Sequence, residues 1–218
     1  MKTKIEWCDA TLNPVMGCLR GCPYCYAKRM NDRYGWLEDF TKPQYFPERL
    51  KKLACKRPKS VFMNSMSDVE FWGQEIRAQV RAAMDANPQH SYIFLTKADW
   101  SAISIYAEIA SVFYGLTICA QRDTEKINST YDFLSIEPIL SPIDITCIHK
   151  LVQNRIKTVI IGAETGNRRG KVIPRREWIN DIVRQCDAHG IAVFMKNSLR
   201  GIMGDDFRTD KLPWAVKA

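Results

Sequence analysis

Thr158-Val-Ile-Ile-Gly-Ala-Glu164, followed by residues 174–189 and then Ile191-Ala-Val-Phe-Met195, is the stretch that decides the fold. Each flank is a short, wholly apolar, β-branched run, the composition of a strand buried on both faces. Between them, Pro174 opens and Gly190 closes a segment with helical periodicity, the usual asymmetry of helix ends. Its predicted buried face carries Trp178, Ile182 and Cys186. Strand, helix and strand joined in this way form a βαβ unit with parallel strands.

The same unit recurs upstream. Strands are predicted at residues 60–64, 92–95, 113–118 and 132–136, with helices at 74–87, 99–111 and 148–155 and a short polar helical piece after Cys119. Residues 11–17 are extended, residues 26–60 helical and basic, and the tail, residues 201–218, is polar and partly mobile. Six or seven such units predict an α/β fold, a partial or complete parallel (βα) barrel, in a single domain over residues 1–200. Polar residues close nearly every strand: Ser65 and Asp68, Lys97, Cys119, Glu137, Glu164 and Lys196. Parallel βα folds place ligand chemistry at those C-terminal strand ends.

The chemistry concentrates in Cys18-Leu-Arg-Gly-Cys-Pro-Tyr-Cys25. Three thiols in eight residues, spaced C-x3-C-x2-C, can hold three corners of a metal centre. Structural zinc wants four closed ligands, so a zinc site would need a fourth such as Cys8. An iron–sulfur cube held by only three cysteines leaves one iron open. Gly17, Gly21 and Pro23 suit the tight backbone wrap, and the helix starting at Tyr26 would present its N-terminal amides to an anionic centre.

Cys18, Cys22, Tyr24 and Cys25 match the signature of the radical S-adenosylmethionine (radical SAM) superfamily, C-x3-C-x-aromatic-C, residue for residue. Within it, the chain resembles an uncharacterised phage- and prophage-associated family. The resemblance rests on Lys4-Ile-Glu-Trp-Cys-Asp-Ala-Thr-Leu-Asn-Pro14, Asn64-Ser-Met-Ser-Asp68, Leu95-Thr-Lys97, Ser135-Ile-Glu-Pro138 and Ile161-Gly-Ala-Glu-Thr-Gly166. It runs from about residue 2 to residue 200. Two features depart from it: Cys8 stands where threonine is expected, and the segment between Gln121 and Asp132 is short.

The resemblance implies a barrel of the radical SAM type. It implies a [4Fe–4S] cluster on Cys18, Cys22 and Cys25 that binds S-adenosylmethionine and cleaves it reductively to a 5′-deoxyadenosyl radical. The electron would come from a donor such as flavodoxin or ferredoxin. Tyr24, Ser65, Ser67, Asp68, Glu137, Gly162, Glu164 and Lys196 are the expected cofactor contacts. Ser65, Ser67 and Asp68 would grip the methionyl ammonium, where the superfamily usually has a glycine-rich segment; Ser67 or Asp68 would serve equally as a helix cap. Lys97 and Cys119 are the candidate catalytic residues, Cys119 as a hydrogen-atom donor or else as a small buried hydrophobe. A carboxylate at Glu137 or Glu164 inside a barrel needs a partner, such as Lys97, Lys196 or a ligand.

The formal net charge is +8, which favours anionic partners. Arg168, Arg169, Lys171, Arg175 and Arg176 put five cations in nine residues after the strand that ends near Glu164, so phosphate contact competes with a solvated face. The expected substrate is a nucleic acid or nucleotide, undergoing modification or repair. Two alternatives stand beside it: a nucleic-acid-binding module with a structural metal, and an activating protein that makes a radical on a partner polypeptide. No apolar run reaches the length of a membrane span, and the N-terminal seven residues lack the apolar core of a signal peptide. With eight cysteines, this predicts a reducing cytoplasm and no membrane.

Overall fold

Nine strands, four α-helices and several 3-10 turns are assigned in the computed structural model, which describes residues 3–98, 111–128, 130–145 and 155–215. The class is α/β with parallel strands. The chain divides into two units, one of residues 1–113 with 214–218, the other of residues 114–213. The helices expected at 99–111 and 148–155 lie outside the described residues, apart from their last positions.

In the first unit, β1 (Ala10–Thr11), β4 (Ser60–Phe62) and β5 (Ser91–Thr96) pair in parallel. Their register aligns Ala10 with Val61 and Val61 with Tyr92. Val61, Tyr92, Ile93 and Phe94 are fully buried, as unbroken apolar strands require. A small antiparallel ribbon, β2 (Val15–Met16) with β3 (Gln44–Tyr45), follows β1. Helix α1 (Tyr26–Tyr34) starts at the last cysteine of the triplet. Helix α2 (Gln74–Asp85) buries Val80 and Met84, with Ile76 and Ala83 half-buried. Trp214 returns to this unit, where its indole donates to the Trp7 carbonyl at 2.7 Å and its ring meets Trp7 edge-on.

The second unit has four parallel strands in sequence order. These are β6 (Val112–Ile118, from Tyr114 onward), β7 (Phe133–Ile136), β8 (Thr158–Ile161) and β9 (Ala192–Met195). Between β8 and β9 runs α3 (Arg176–Ala188), so the βαβ unit read from the sequence is present. Its buried residues are Ile179, Ile182 and Cys186, whereas Trp178 is only half-buried. Ile182 and Cys186 keep their expected places and Ile179 takes that of Trp178, whose indole lies beside the exposed Arg175 guanidinium, 5.8 Å from its ring. Burial pushes the Cys186 thiol up to about 12, so it behaves as a core hydrophobe.

The described part of the tail, up to residue 215, is packed. α4 (Arg200–Met203) follows β9, and the chain then returns along that strand. The Met195 amide donates to the Arg208 carbonyl, the Asp210 amide to the Val193 carbonyl, and Thr209 bridges Phe194. Leu212 and Trp214 are buried. Among the described residues, no helix is long and apolar enough to cross a membrane.

Candidate metal centre

The cysteine loop is built from backbone outward. The Gly17 amide donates to the Met66 carbonyl at 3.0 Å and the Cys18 amide to the Phe40 carbonyl at 2.8 Å. Gly17 has φ +102, and a Cβ there would come within 2.9 Å of the Pro43 Cα. Only glycine fits both the conformation and the space. The Asn13 side chain accepts from the Ser65 hydroxyl and the Met66 amide, which fixes the loop beyond the C-terminal end of β4. Met16, Ala27, Leu37, Phe40 and Met66 form a small apolar cluster against which Cys18 and Cys25 pack.

Cys18, Cys22 and Cys25 are half-buried thiols, none in a disulfide. The Cys25 amide donates to the Cys22 carbonyl, closing a turn. The Cys25 sulfur caps α1 by accepting the Lys28 amide at 3.4 Å. Burial pushes the Cys18 thiol up to about 11, and the neighbouring Asp68, Cys25 and Cys22 charges push the same way. A hydrogen bond from the Arg20 backbone opposes them. A cation would reverse this balance. Three neighbouring thiols, two with backbone donors on sulfur, suit a soft metal centre. Among the described residues, no group of three or more His, Cys, Asp or Glu side chains is arranged as ligands of a single metal ion.

Cys8 belongs elsewhere. Next to it, the Asp9 amide donates to the Ser60 carbonyl and the Asp9 carboxylate accepts the Ser60 amide and hydroxyl. That is the N-terminal end of β4, whereas Gly17 is bonded past its C-terminal end. The strand between them spans on the order of 10 Å.

Asp68 joins the cysteine loop to the end of β5. One carboxylate oxygen accepts the Thr96 hydroxyl at 2.7 Å and the Glu70 amide at 3.2 Å. The other accepts the Lys97 amide at 3.1 Å and the Arg20 Nε at 3.2 Å. The Glu70 bond caps a 3-10 turn, Val69–Phe71, so the capping role holds. Arg20 also pairs with Glu70 and lies 5.6 Å from the Phe71 ring. Four donors occupy the roughly four acceptor positions of a carboxylate. The geometry therefore makes Asp68 a positioning residue for Arg20, which lies inside the C-x3-C spacing. Asp68→Ala should lower stability by roughly 2–3 kcal/mol, since it removes the acceptor of a buried hydroxyl and of two backbone amides. Denaturant unfolding checks this, and an unchanged midpoint would contradict it.

The other expected contacts in this unit also have protein partners. The Ser67 hydroxyl accepts the Trp72 indole N–H, and the Ser65 carbonyl accepts the Tyr26 hydroxyl. Asn64 bridges to the Leu95 amide and carbonyl, extending the β4–β5 ladder through its side chain. The Lys97 ammonium lies 5.8 Å from the Tyr24 ring, a cation–π contact beside the thiols.

In the second unit, Glu137 and Lys196 form an ion pair, one of the partnerships expected from the sequence. Gly162 lies beneath it: a Cβ there would meet Lys196 Cδ at 3.1 Å and Glu137 Cγ at 3.2 Å. Gly162→Ala should displace the pair and lower stability by about 1–2 kcal/mol, measured by chemical unfolding. The Cys119 thiol, 3% exposed, donates to the Glu137 carbonyl at 3.3 Å, and the Cys119 amide donates to Asp123.

Glu164 has Arg168 as a partner, which the sequence reading did not name. It is 2% exposed and is held by Arg168, four residues on in its own loop, through bonds of 2.6 and 2.8 Å. Gly166 and Gly170, at φ +86 and +74, bend the loop back so that the guanidinium reaches. The basic loop is thereby partly consumed. Arg168 serves Glu164, Arg176 pairs with Asp206, and the Lys171 ammonium donates to the Gly166 carbonyl. Arg169 and Arg175 are exposed.

Arg20, Asn13 and Thr96 are the supporting residues that the sequence did not single out. Arg20 carried a local signal, a cation within the cysteine motif, and Asn13 and Thr96 lie inside two of the stretches that carry the resemblance. Comparison with curated proteins and with solved structures gives no match. A family described as a protein of unknown function, DUF5131, matches residues 2–204, nearly the whole sequence, and the chain belongs to that family.

Proposed function

We propose that the chain is a radical SAM enzyme whose cluster is held by Cys18, Cys22 and Cys25. The observation that carries the proposal is the trio of half-buried, neighbouring thiols on a loop bonded past the C-terminal end of a parallel strand. A [4Fe–4S] cluster in that loop would leave one iron for the amino and carboxylate groups of S-adenosylmethionine and would supply the electron that cleaves its sulfonium to a 5′-deoxyadenosyl radical. The chain's own part is to hold and shield. Gly17 and Asn13 fix the loop, Arg20 is locked to Asp68, and Met16, Phe40 and Met66 exclude water from one side of the thiols. Tyr24, within the loop, and Lys97, whose ammonium lies 5.8 Å from the Tyr24 ring, would order a carboxylate-bearing ligand.

A nucleic acid or nucleotide is the proposed substrate. The net charge of +8 and the exposed Arg169 and Arg175 support an anionic partner. Anaerobic purification tests the whole reading. The expected protein is brown, contains iron and sulfide, and cleaves S-adenosylmethionine when reduced. A colourless protein containing zinc and inert toward S-adenosylmethionine would favour the structural-metal module instead.

A further inference from the structure

Among the described residues, five of the six exposed large hydrophobic side chains fall between residues 19 and 36: Leu19, Tyr26, Met30, Tyr34 and Trp36. Scattered apolar residues on a surface need no explanation, but a concentration on one short segment does. Tyr26, Met30 and Tyr34 are spaced i, i+4, i+8, so they form one outward stripe along α1. The stripe begins at Cys25, which caps the helix, and runs about 13 Å to its end.

That end is rigidly built. Gly35, at φ +64, terminates the helix in the left-handed conformation, and its amide donates to the Asn31 carbonyl at 2.7 Å. The buried Asn31 side chain donates to the Leu37 carbonyl at 2.9 Å and accepts the Leu37 amide at 2.8 Å. This clamp holds Tyr34 and Trp36 in a stack, with ring centroids 5.2 Å apart and planes 20° from parallel. The two residues are 54% and 46% exposed. The Arg33 guanidinium lies 5.3 Å from the Tyr34 ring. Helix α1 carries Lys28, Arg29 and Arg33 against a single acid, Asp32.

We propose that this stack is a platform for single-stranded nucleic acid, with a base lying against Trp36 and Tyr34 and a backbone phosphate drawn to Arg33. The proposal deepens the nucleic-acid reading above and rests on it. A flat, preorganised aromatic pair with a cation beside it takes any base by its π-face, with no need for sequence-specific hydrogen bonds. A purely apolar partner would leave Arg33 desolvated and without an anion. Charge complementarity therefore favours a polyanion with aromatic faces.

Fluorescence anisotropy of labelled oligo-U and oligo-dT, at low salt with the anaerobically purified full chain, tests the platform. Binding should weaken as salt rises. Trp36→Ala should weaken it by about 10-fold or more, and Trp36→Phe, which keeps a ring, should retain most of it. Arg33→Gln should flatten the salt dependence. Circular dichroism of each variant separates lost binding from lost folding. Absent binding at low salt, or Trp36→Ala binding like wild type, would overturn the proposal. So would an apolar dye bound by wild type and lost in Trp36→Ala when neither oligonucleotide binds, an outcome that favours a protein partner. The assay needs no reduced cluster, so it is independent of the proposed reaction. Binding without S-adenosylmethionine cleavage keeps the platform and removes the reaction; cleavage without binding does the reverse.

Discussion

Cys18→Ala, Cys22→Ala and Cys25→Ala should each abolish iron loading and S-adenosylmethionine cleavage, while Cys8→Ala leaves both close to wild type. Losing a residue that only supports a metal ligand typically costs 10–100-fold in affinity, so losing a thiol ligand should exceed that. With three protein ligands, each substitution also leaves a second corner open. Cys8 precedes Asp9, which is bonded to Ser60 at the N-terminal end of β4, the wrong end of the strand to close the site. The thiol at Cys18 adds a pH dependence. Its value of about 11 means that it is protonated at neutral pH, so metal uptake must release that proton. Apparent affinity should therefore fall as pH is lowered, by up to tenfold per unit from this one group. Iron and sulfide assays on the four variants, with loading followed against pH, check both statements. If Cys8→Ala loses the metal as completely as the other three, the site has four thiolates and the open-corner reading fails.

What the sequence made legible was whatever depends on neighbours along the chain. Strands β4 to β9 are apolar runs bounded by polar residues, and each lies within a residue or two of its expected place. Helix α3 was bracketed by Pro174 and Gly190, and the cysteine loop was visible from spacing alone. Contacts made across the fold were not legible. Asp68 reads locally as a helix cap, and it is one, but its other partners come from Arg20 and from Thr96 and Lys97, more than 25 residues away on either side. β1, β2 and β3 are two residues each, too short to carry any periodicity. A polar tail reads as mobile, yet Leu212 and Trp214 in its described part are buried. Trp178 was assigned to the core of α3 on hydrophobicity, whereas the amphipathic indole stays half-buried and Ile179 takes the core position.

Arg168→Ala should lower the melting temperature by on the order of 10 °C, whereas Arg169→Ala in the same loop should barely move it. Glu164 is buried at 2% exposure, and both of its oxygens accept from the Arg168 guanidinium. Bidentate pairing of this kind is the strong form of a charged hydrogen bond. Removing the cation leaves a carboxylate in the interior with a large desolvation penalty and its main partner gone. Arg168 also donates to the Arg169 and Gly170 carbonyls, so its loss unties the loop that Gly166 and Gly170 fold. Lys at this position should rescue only part of the loss, since an ammonium cannot reproduce the planar fork. Glu164→Gln combined with Arg168→Ala should recover stability relative to Arg168→Ala alone, because the buried carboxylate that lost its guanidinium is then neutral. Scanning calorimetry of the variants decides the matter. If Arg168→Ala melts like wild type while weakening oligonucleotide binding, then Arg168 contacts phosphate and its pairing with Glu164 is incidental; a lower melting temperature with binding retained assigns it to the frame of the loop and leaves Arg169 and Arg175 as the cations that can meet a ligand there.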